Sequence, residues 1–175
     1  MARILVVYST TDGHTRTICE RLAILIDSET DHVTLVSIEQ ARVVELSAFD
    51  KVVVGASIRY GKHSPLVREF VNANASVLDA KPSAFFSVNL VARKRDKSEP
   101  KNNPYLRKFL KEIRWRPREL EVFAGRLDYP RYGFIDRLAI RLIMLITDGP
   151  TDPTTVVEFT DWQRVTAFAQ RVATM

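Results

Sequence analysis

The sequence predicts a doubly wound α/β fold: a parallel sheet of five strands with helices on both faces. Three observations predict it. Short continuous apolar runs alternate with segments of helical periodicity along the whole chain. Those runs carry no polar alternation, as expected of strands covered on both faces. Polar loops rich in hydroxyls, glycine and small residues follow the runs, where open parallel sheets bind ligands.

The elements follow in order. Arg3–Tyr8 is an apolar first strand. Ile18, Leu22, Leu25 and Ile26 then recur at helical spacing. Val33–Ile38 is a second strand, and 39–48 a short, weak helix. Lys51–Ser57, KVVVGAS, is a third strand. Ser64-Pro65 starts a helix, with Ser as N-cap and Pro in the first turn; Val67, Phe70, Val71 and Leu78 form its apolar face. Ser83–Asn89, SAFFSVN, is a fourth strand. Asn103-Pro104 opens a helix reaching about Ile113, and Val122–Leu127 is a fifth strand. Residues 134–146 are helical, Val156–Thr160 is a short extra strand, and Asp161 caps a last helix, 162–173. Segments 90–102 and 128–133 are irregular. No repeat or linker divides the chain, so one domain spanning 1–175 is expected.

Composition narrows the function. Apolar residues make up 46% of the 175, a globular proportion. The single cysteine, Cys19, excludes an internal disulfide and suits a reducing compartment. The N-terminus lacks the pattern of a signal peptide, and no run reaches the ~18 apolar residues of a membrane span. The net charge is +5, but residues 93–118 alone carry 11 basic and 3 acidic groups. That patch favours an anionic partner. No nucleic-acid motif accompanies it, so nucleic acid is not expected. His14, His32 and His63 have no ligand-spaced companions, so no metal site is expected.

The first loop carries the chemistry. Ser9, Thr10, Thr11 and Thr15 offer hydroxyls, Gly13 permits a tight backbone approach, and the amides around Asp12 and His14 open a helix whose positive end favours an anion. The bland alternative is an ordinary capped helix, with Asp12 or Thr15 as the cap. The pattern is neither GxxxxGK[ST] nor GxGxxG, which argues against nucleoside triphosphates and dinucleotides. Two companion loops reach the same edge. One is Gly55-Ala56-Ser57-Ile58-Arg59-Tyr60-Gly61; the other is Ser87-Val88-Asn89-Leu90-Val91-Ala92. Small residues, amides and apolar walls there suit a flat heteroaromatic ring. A phosphate in the first loop and such a ring between the other two describe FMN.

Ser9–Arg16 resembles the phosphate loop of flavodoxin-like proteins. GASIRYG (55–61), PSAFFSVNLVARK (82–94), YPRY (129–132) and TDW (160–162) resemble the bacterial quinone-dependent protoporphyrinogen IX dehydrogenases, over nearly the whole chain. The resemblance implies a flavodoxin-like strand order, 2-1-3-4-5. It also implies an FMN enzyme of haem biosynthesis, oxidising protoporphyrinogen IX and passing electrons to membrane quinone at the cytoplasmic face of the inner membrane, as a peripheral protein. Family members often carry a basic residue where this chain has Thr11, and Gln where it has His14.

Within that frame Arg59 and Tyr60 are the expected catalytic pair, Arg59 stabilising negative charge on flavin or pairing with phosphate or a propionate, and Tyr60 stacking on the ring. His63 is a candidate proton shuttle. Arg93, Lys94 and Arg95 are candidates for the substrate propionates, since guanidinium suits carboxylate. The helix FIDRLAIRLIMLI (134–146) admits two readings: a buried core helix, or an interfacial helix with Arg137 and Arg141 near lipid headgroups. Two other functions stay open: a basic flavodoxin-type electron carrier and an NAD(P)H:quinone reductase.

Overall fold

The structure is a computed structural model, describing residues 2–28 and 31–175. Five parallel strands form the sheet: β1 (Ala2–Ser9), β2 (Asp31–Ser37), β3 (Lys51–Arg59), β5 (Ser83–Asn89) and β6 (Glu119–Ala124), with β4 (Lys62–His63) folded back on β3 as a hairpin. The spatial order is β2-β1-β3-β5-β6. Setting the hairpin aside, this is the expected 2-1-3-4-5.

Alternate residues of each strand face opposite layers. Leu5, Val7, Val52, Val54 and Phe85 point to one core, with Phe109 and Trp115; α3 (Pro65–Ala73) and α5 (Pro104–Glu112) cover it. Ile4, Val6, Val53 and Phe86 point to the other, closed by α1 (His14–Ile26) and α7 (Trp162–Thr174) through Ile18, Leu22 and Phe168. Gly55 lies in β3 because a Cβ there would come within 2.2 Å of the Phe86 ring. Cys19 is wholly buried on α1, and burial pushes its thiol well above the usual range.

The expected caps hold: Ser64, Asn103 and Asp161 each accept from backbone amides of their helices. Four boundaries differ. The second strand ends at Ser37, whose hydroxyl caps α2 (Ile38–Ala41), so the weak helix 39–48 is this turn plus a 3-10 turn at 46–48. The helix after Ser64 pauses at Asn74 and resumes as α4 (Ala75–Asp79). Segment 90–102 contains two 3-10 turns, at 90–93 and 95–97.

The fourth difference matters most. The fifth strand stops at Ala124. After Gly125 the chain leaves the sheet as β7 (Arg126–Asp128), which pairs antiparallel with β8 (Val156–Glu158). This small ribbon carries α6 (Phe134–Ile146). The buried-core reading of α6 is overturned: only Met144 is fully buried, while Phe134, Ile135, Leu138, Leu142, Leu145 and Ile146 are exposed. Arg137 does not point outward with Arg141. It is half-buried and donates back to the Tyr132 carbonyl at 3.3 Å.

Candidate functional site

The three loops converge at the carboxyl edge of β1, β3 and β5, as the topology requires. They border an open cleft, closed on its far side by Arg126, Asp128, Arg131 and Tyr132 and by Ala139, Ile140 and Ile143 of α6.

In the first loop, Gly13 adopts φ +88°, with open space where a Cβ would stand. Its amide donates to Thr10 Oγ1 at 3.0 Å, which tightens the loop. Neither Asp12 nor Thr15 caps α1, and the helix begins without a side-chain cap. Thr15 lines the cleft with its Oγ1 buried and unpartnered. A buried hydroxyl without a partner costs about 1–3 kcal/mol, so a ligand oxygen is the natural complement. Ser9 is mostly covered, and its carbonyl accepts from the Ser57 hydroxyl at 3.4 Å. Thr11 lies exposed at the rim. His14 is anchored to Thr160, 2.6 Å away, and burial holds its pKa below the ordinary value.

In the second loop Ser57, Ile58, Arg59, Tyr60 and Gly61 line the cleft, whereas Ala56 is fully buried in the core. Tyr60 (φ 49°) and Gly61 (φ 74°) turn the chain in the left-handed region, unusual for a residue as bulky as tyrosine. Arg59 donates to Asp12 at 3.2 Å and to Asp136 of α6. The Tyr60 hydroxyl donates to the same Asp136, and this bond raises its pKa.

In the third loop Val88, Asn89, Leu90 and Val91 line the cleft. Ser87 and Ala92 are buried behind it. The Asn89 side chain accepts from Ala92 N at 3.1 Å and from Asn103 Nδ2 at 3.1 Å, fixing the loop to the start of α5.

Not every expected residue joins this site. His63 lies behind it, its Nε2 2.9 Å from Ser87 Oγ and its ring against Phe85 and Phe109. Burial pushes its pKa down to about 3, so it stays neutral. It lines a second groove with Lys62, Arg68 and Lys108. Arg93 holds the end of α6, donating to Thr147 O at 2.7 Å, Thr147 Oγ1 at 2.9 Å and Leu90 O at 2.8 Å. Lys94 pairs with Asp148 at 3.3 Å, and Arg95 is exposed. None of these three lines the cleft.

Sequence reasoning missed the far wall. YPRY and the irregular 128–133 marked the place, but the strand was read through Gly125, which hid the turn toward α6. Asp136 was missed as well, since an acidic residue in a first helical turn ordinarily needs only the helix dipole as its reason.

The residues fit FMN. The uncapped helix start and the unpartnered Thr15 hydroxyl suit its phosphate, and Ile58, Val88, Leu90 and Ile140 offer apolar walls to its ring. No group of His, Cys, Asp and Glu able to hold a metal occurs among the described residues.

Comparisons with known proteins agree. The flavodoxin domain family matches residues 5–154. A protoporphyrinogen IX dehydrogenase (quinone) of Leishmania major is 46% identical over 174 residues, covering 99% of this chain and 75% of that protein. One from Escherichia coli K12 is 43% identical over 171 residues, covering 98% and 94%. Among solved structures, oxidised flavodoxin 1 from Bacillus cereus superposes with a TM-score of 0.57 at 14% identity, covering 99% and 98% of the two chains. A flavodoxin from the domain Archaea gives 0.54 at 16%, covering 98% and 96%. At such identities the structures attest the fold alone. With the family match and the two enzymes together, the chain belongs to the flavodoxin domain family and, within it, to the quinone-type protoporphyrinogen IX dehydrogenases.

Proposed function

We propose that this protein oxidises protoporphyrinogen IX to protoporphyrin IX with FMN as cofactor and a membrane quinone as acceptor. The observation that carries the reading is the uncapped start of α1, with its unpartnered Thr15 hydroxyl, opening into a cleft walled by three loops and α6. Bound FMN supplies the redox chemistry, carrying two electrons per cycle from substrate to quinone, with three cycles for the six electrons and six protons between porphyrinogen and porphyrin.

The chain's own residues bind and orient. The amides that open α1, together with Thr15 and Thr10, hold the phosphate. Ser57 through Gly61 and Val88 through Val91 form the two sides of a slot for the ring, held rigid by the Asn89–Asn103 bonds. Arg59, bridging Asp12 and Asp136, fixes the edge of that slot. His63, neutral and outside the cleft, is not assigned a proton-transfer role.

Access to quinone falls to α6. No helix among the described residues is long and apolar enough to cross a membrane. At 13 residues α6 is about 20 Å long, and it shows apolar side chains on its outer as well as its inner side. Such a helix suits the plane of a bilayer interface. Lys94 and Arg95 lie near its C-terminal end, where Lys94 meets Asp148, and Arg141 is exposed on the helix; these cations favour anionic headgroups. The proposed placement is peripheral, on the leaflet that supplies quinone.

The test is direct. Purified protein should be yellow and, with protoporphyrinogen IX and a quinone but no other protein, should generate porphyrin fluorescence. FMN binding without porphyrin formation would leave an electron carrier. Rapid bleaching of the flavin by NADPH would favour an NAD(P)H:quinone reductase.

A further inference from the structure

Asp136 stands in the first turn of α6, and two groups of the second loop hold its carboxylate. Arg59 pairs with one oxygen and the Tyr60 hydroxyl donates to the other. The second guanidinium nitrogen reaches Asp12, at 3.2 Å, so three segments meet on one cation. The contact is partly shielded, with the side chains of Arg59 and Asp136 26% and 23% exposed. Tyr60 reaches it from a left-handed backbone conformation that costs about 1–3 kcal/mol in a non-glycine residue. One to two turns further along α6, Ala139, Ile140 and Ile143 form the cleft's far wall. One carboxylate therefore fastens the N-terminal end of α6 across the opening.

The other end is held differently. Arg93 donates to the Thr147 carbonyl and hydroxyl and to the Leu90 carbonyl, and no carboxylate takes part in those bonds. At the first end an arriving carboxylate competes with Asp136 for two converging donors. At the second the carboxylate present, Asp148, meets only Lys94, and the Arg93 bonds to carbonyl and hydroxyl oxygens stay in place.

A guanidinium and a phenol converging on one carboxylate form a donor set for any carboxylate of similar reach. We propose that Asp136 occupies the place of a substrate carboxylate: a propionate of the porphyrinogen takes Arg59 and Tyr60 from Asp136, and α6 swings away about its Arg93-held end. The inference rests on the proposed substrate. The exchange keeps Arg59 paired throughout, so its desolvation is not repeated. The released Asp136 keeps the favourable field of the α6 N-terminus. A substrate without free carboxylates leaves the latch shut, which makes Arg59 and Asp136 determinants of specificity.

Two measurements test this on the FMN-loaded full chain. In the first, KM for protoporphyrinogen IX and for its dimethyl ester are compared in wild type and in Asp136→Asn, with flavin absorbance confirming equal loading. The expected result is a wild type that discriminates against the ester. Asp136→Asn should then lower KM for the diacid about five-fold, the scale of one partly exposed ion pair, and improve the ester at least as much. In the second, hydrogen exchange over residues 134–140 is followed with oxidised protoporphyrin IX, which carries the same carboxylates but no hydrogen to give. Exchange should rise with the diacid and stay flat with the dimethyl ester, and Asp136→Asn should show the raised rate without ligand. Equal KM values for acid and ester in wild type, or exchange indifferent to the diacid, would overturn the latch while leaving the proposed reaction intact. Absence of porphyrin formation alongside diacid-dependent exchange would do the reverse, removing the reaction and keeping the carboxylate exchange.

Discussion

α1 and α6 are both 13 residues long, and they are used in opposite ways. α1 buries Thr15, Ile18, Cys19, Leu22 and Ile26 against the sheet. α6 is the more apolar in sequence, FIDRLAIRLIMLI against HTRTICERLAILI, yet it fully buries only Met144. Burial inside this chain thus does not follow apolarity. What α1 spends on its own core, α6 leaves available at the cleft and on the outer surface. On the proposed function, that open apolar surface is the face turned to the bilayer.

The comparison can be broken most forcefully by trimming each helix. Leu22→Ala should cost about 3 kcal/mol of stability in urea denaturation, since it empties a fully buried position. Leu142→Ala, at 58% exposure, should cost less than about 0.5 kcal/mol. Similar losses at both sites would mean that α6 is as integral to the core as α1. A second effect follows from the outer face. Replacing Phe134, Leu138 and Leu142 together by Ser should weaken binding to vesicles containing anionic lipid about thirty-fold, roughly 2 kcal/mol of apolar burial. Unchanged co-sedimentation with vesicles would remove the membrane role from this helix.

At the start of α1 the effect is smaller and points to the ligand. Thr15→Val removes the unpartnered hydroxyl. FMN affinity should fall about ten-fold, the contribution of one hydrogen bond to a charged group. The flavin-free protein should be no less stable, because an orphaned polar atom has gone. Fluorescence titration and thermal melts measure the two sides.

The smallest effect belongs to His63, behind the site. Its folded pKa of about 3 lies below the unfolded value of about 6.5, so the unfolded chain binds the extra proton as pH falls. Stability is fully present above pH 6.5 and is lost toward pH 3. Between pH 6.5 and 5.5 the loss should be about 1 kcal/mol. His63→Gln, which can still meet Ser87, should flatten that limb of the stability profile. A wild-type profile already flat there would show that the imidazole is free to protonate.

The sequence made the sheet legible because its signals are local. Val52 to Val54 and Phe85-Phe86 read as strands buried on both faces, and they are. Ser64, Asn103 and Asp161 read as caps for the same reason: a cap concerns only the next three residues. The converging loops followed from topology. The hairpin β3–β4 escaped because it turns on Tyr60, a residue with no preference for the left-handed backbone. The antiparallel ribbon escaped because its partners are some thirty residues apart, as in Leu127 with Val157. Arg59, Tyr60 and Asp136 illustrate the same limit: two of the three were identified singly, and their meeting depends on how α6 is carried over the cleft.

Cys19 gives the molecule a built-in reporter. Its sulfur lies between α1 and the sheet, shut away from solvent and held in the unreactive thiol form. An alkylating reagent can therefore mark the chain only when that layer comes apart, and the rate of marking counts those openings one molecule at a time. With a single sulfhydryl in the sequence, the count has no background from a second site. Ligands that hold the body shut would slow it, and movement of α6 alone would pass unrecorded.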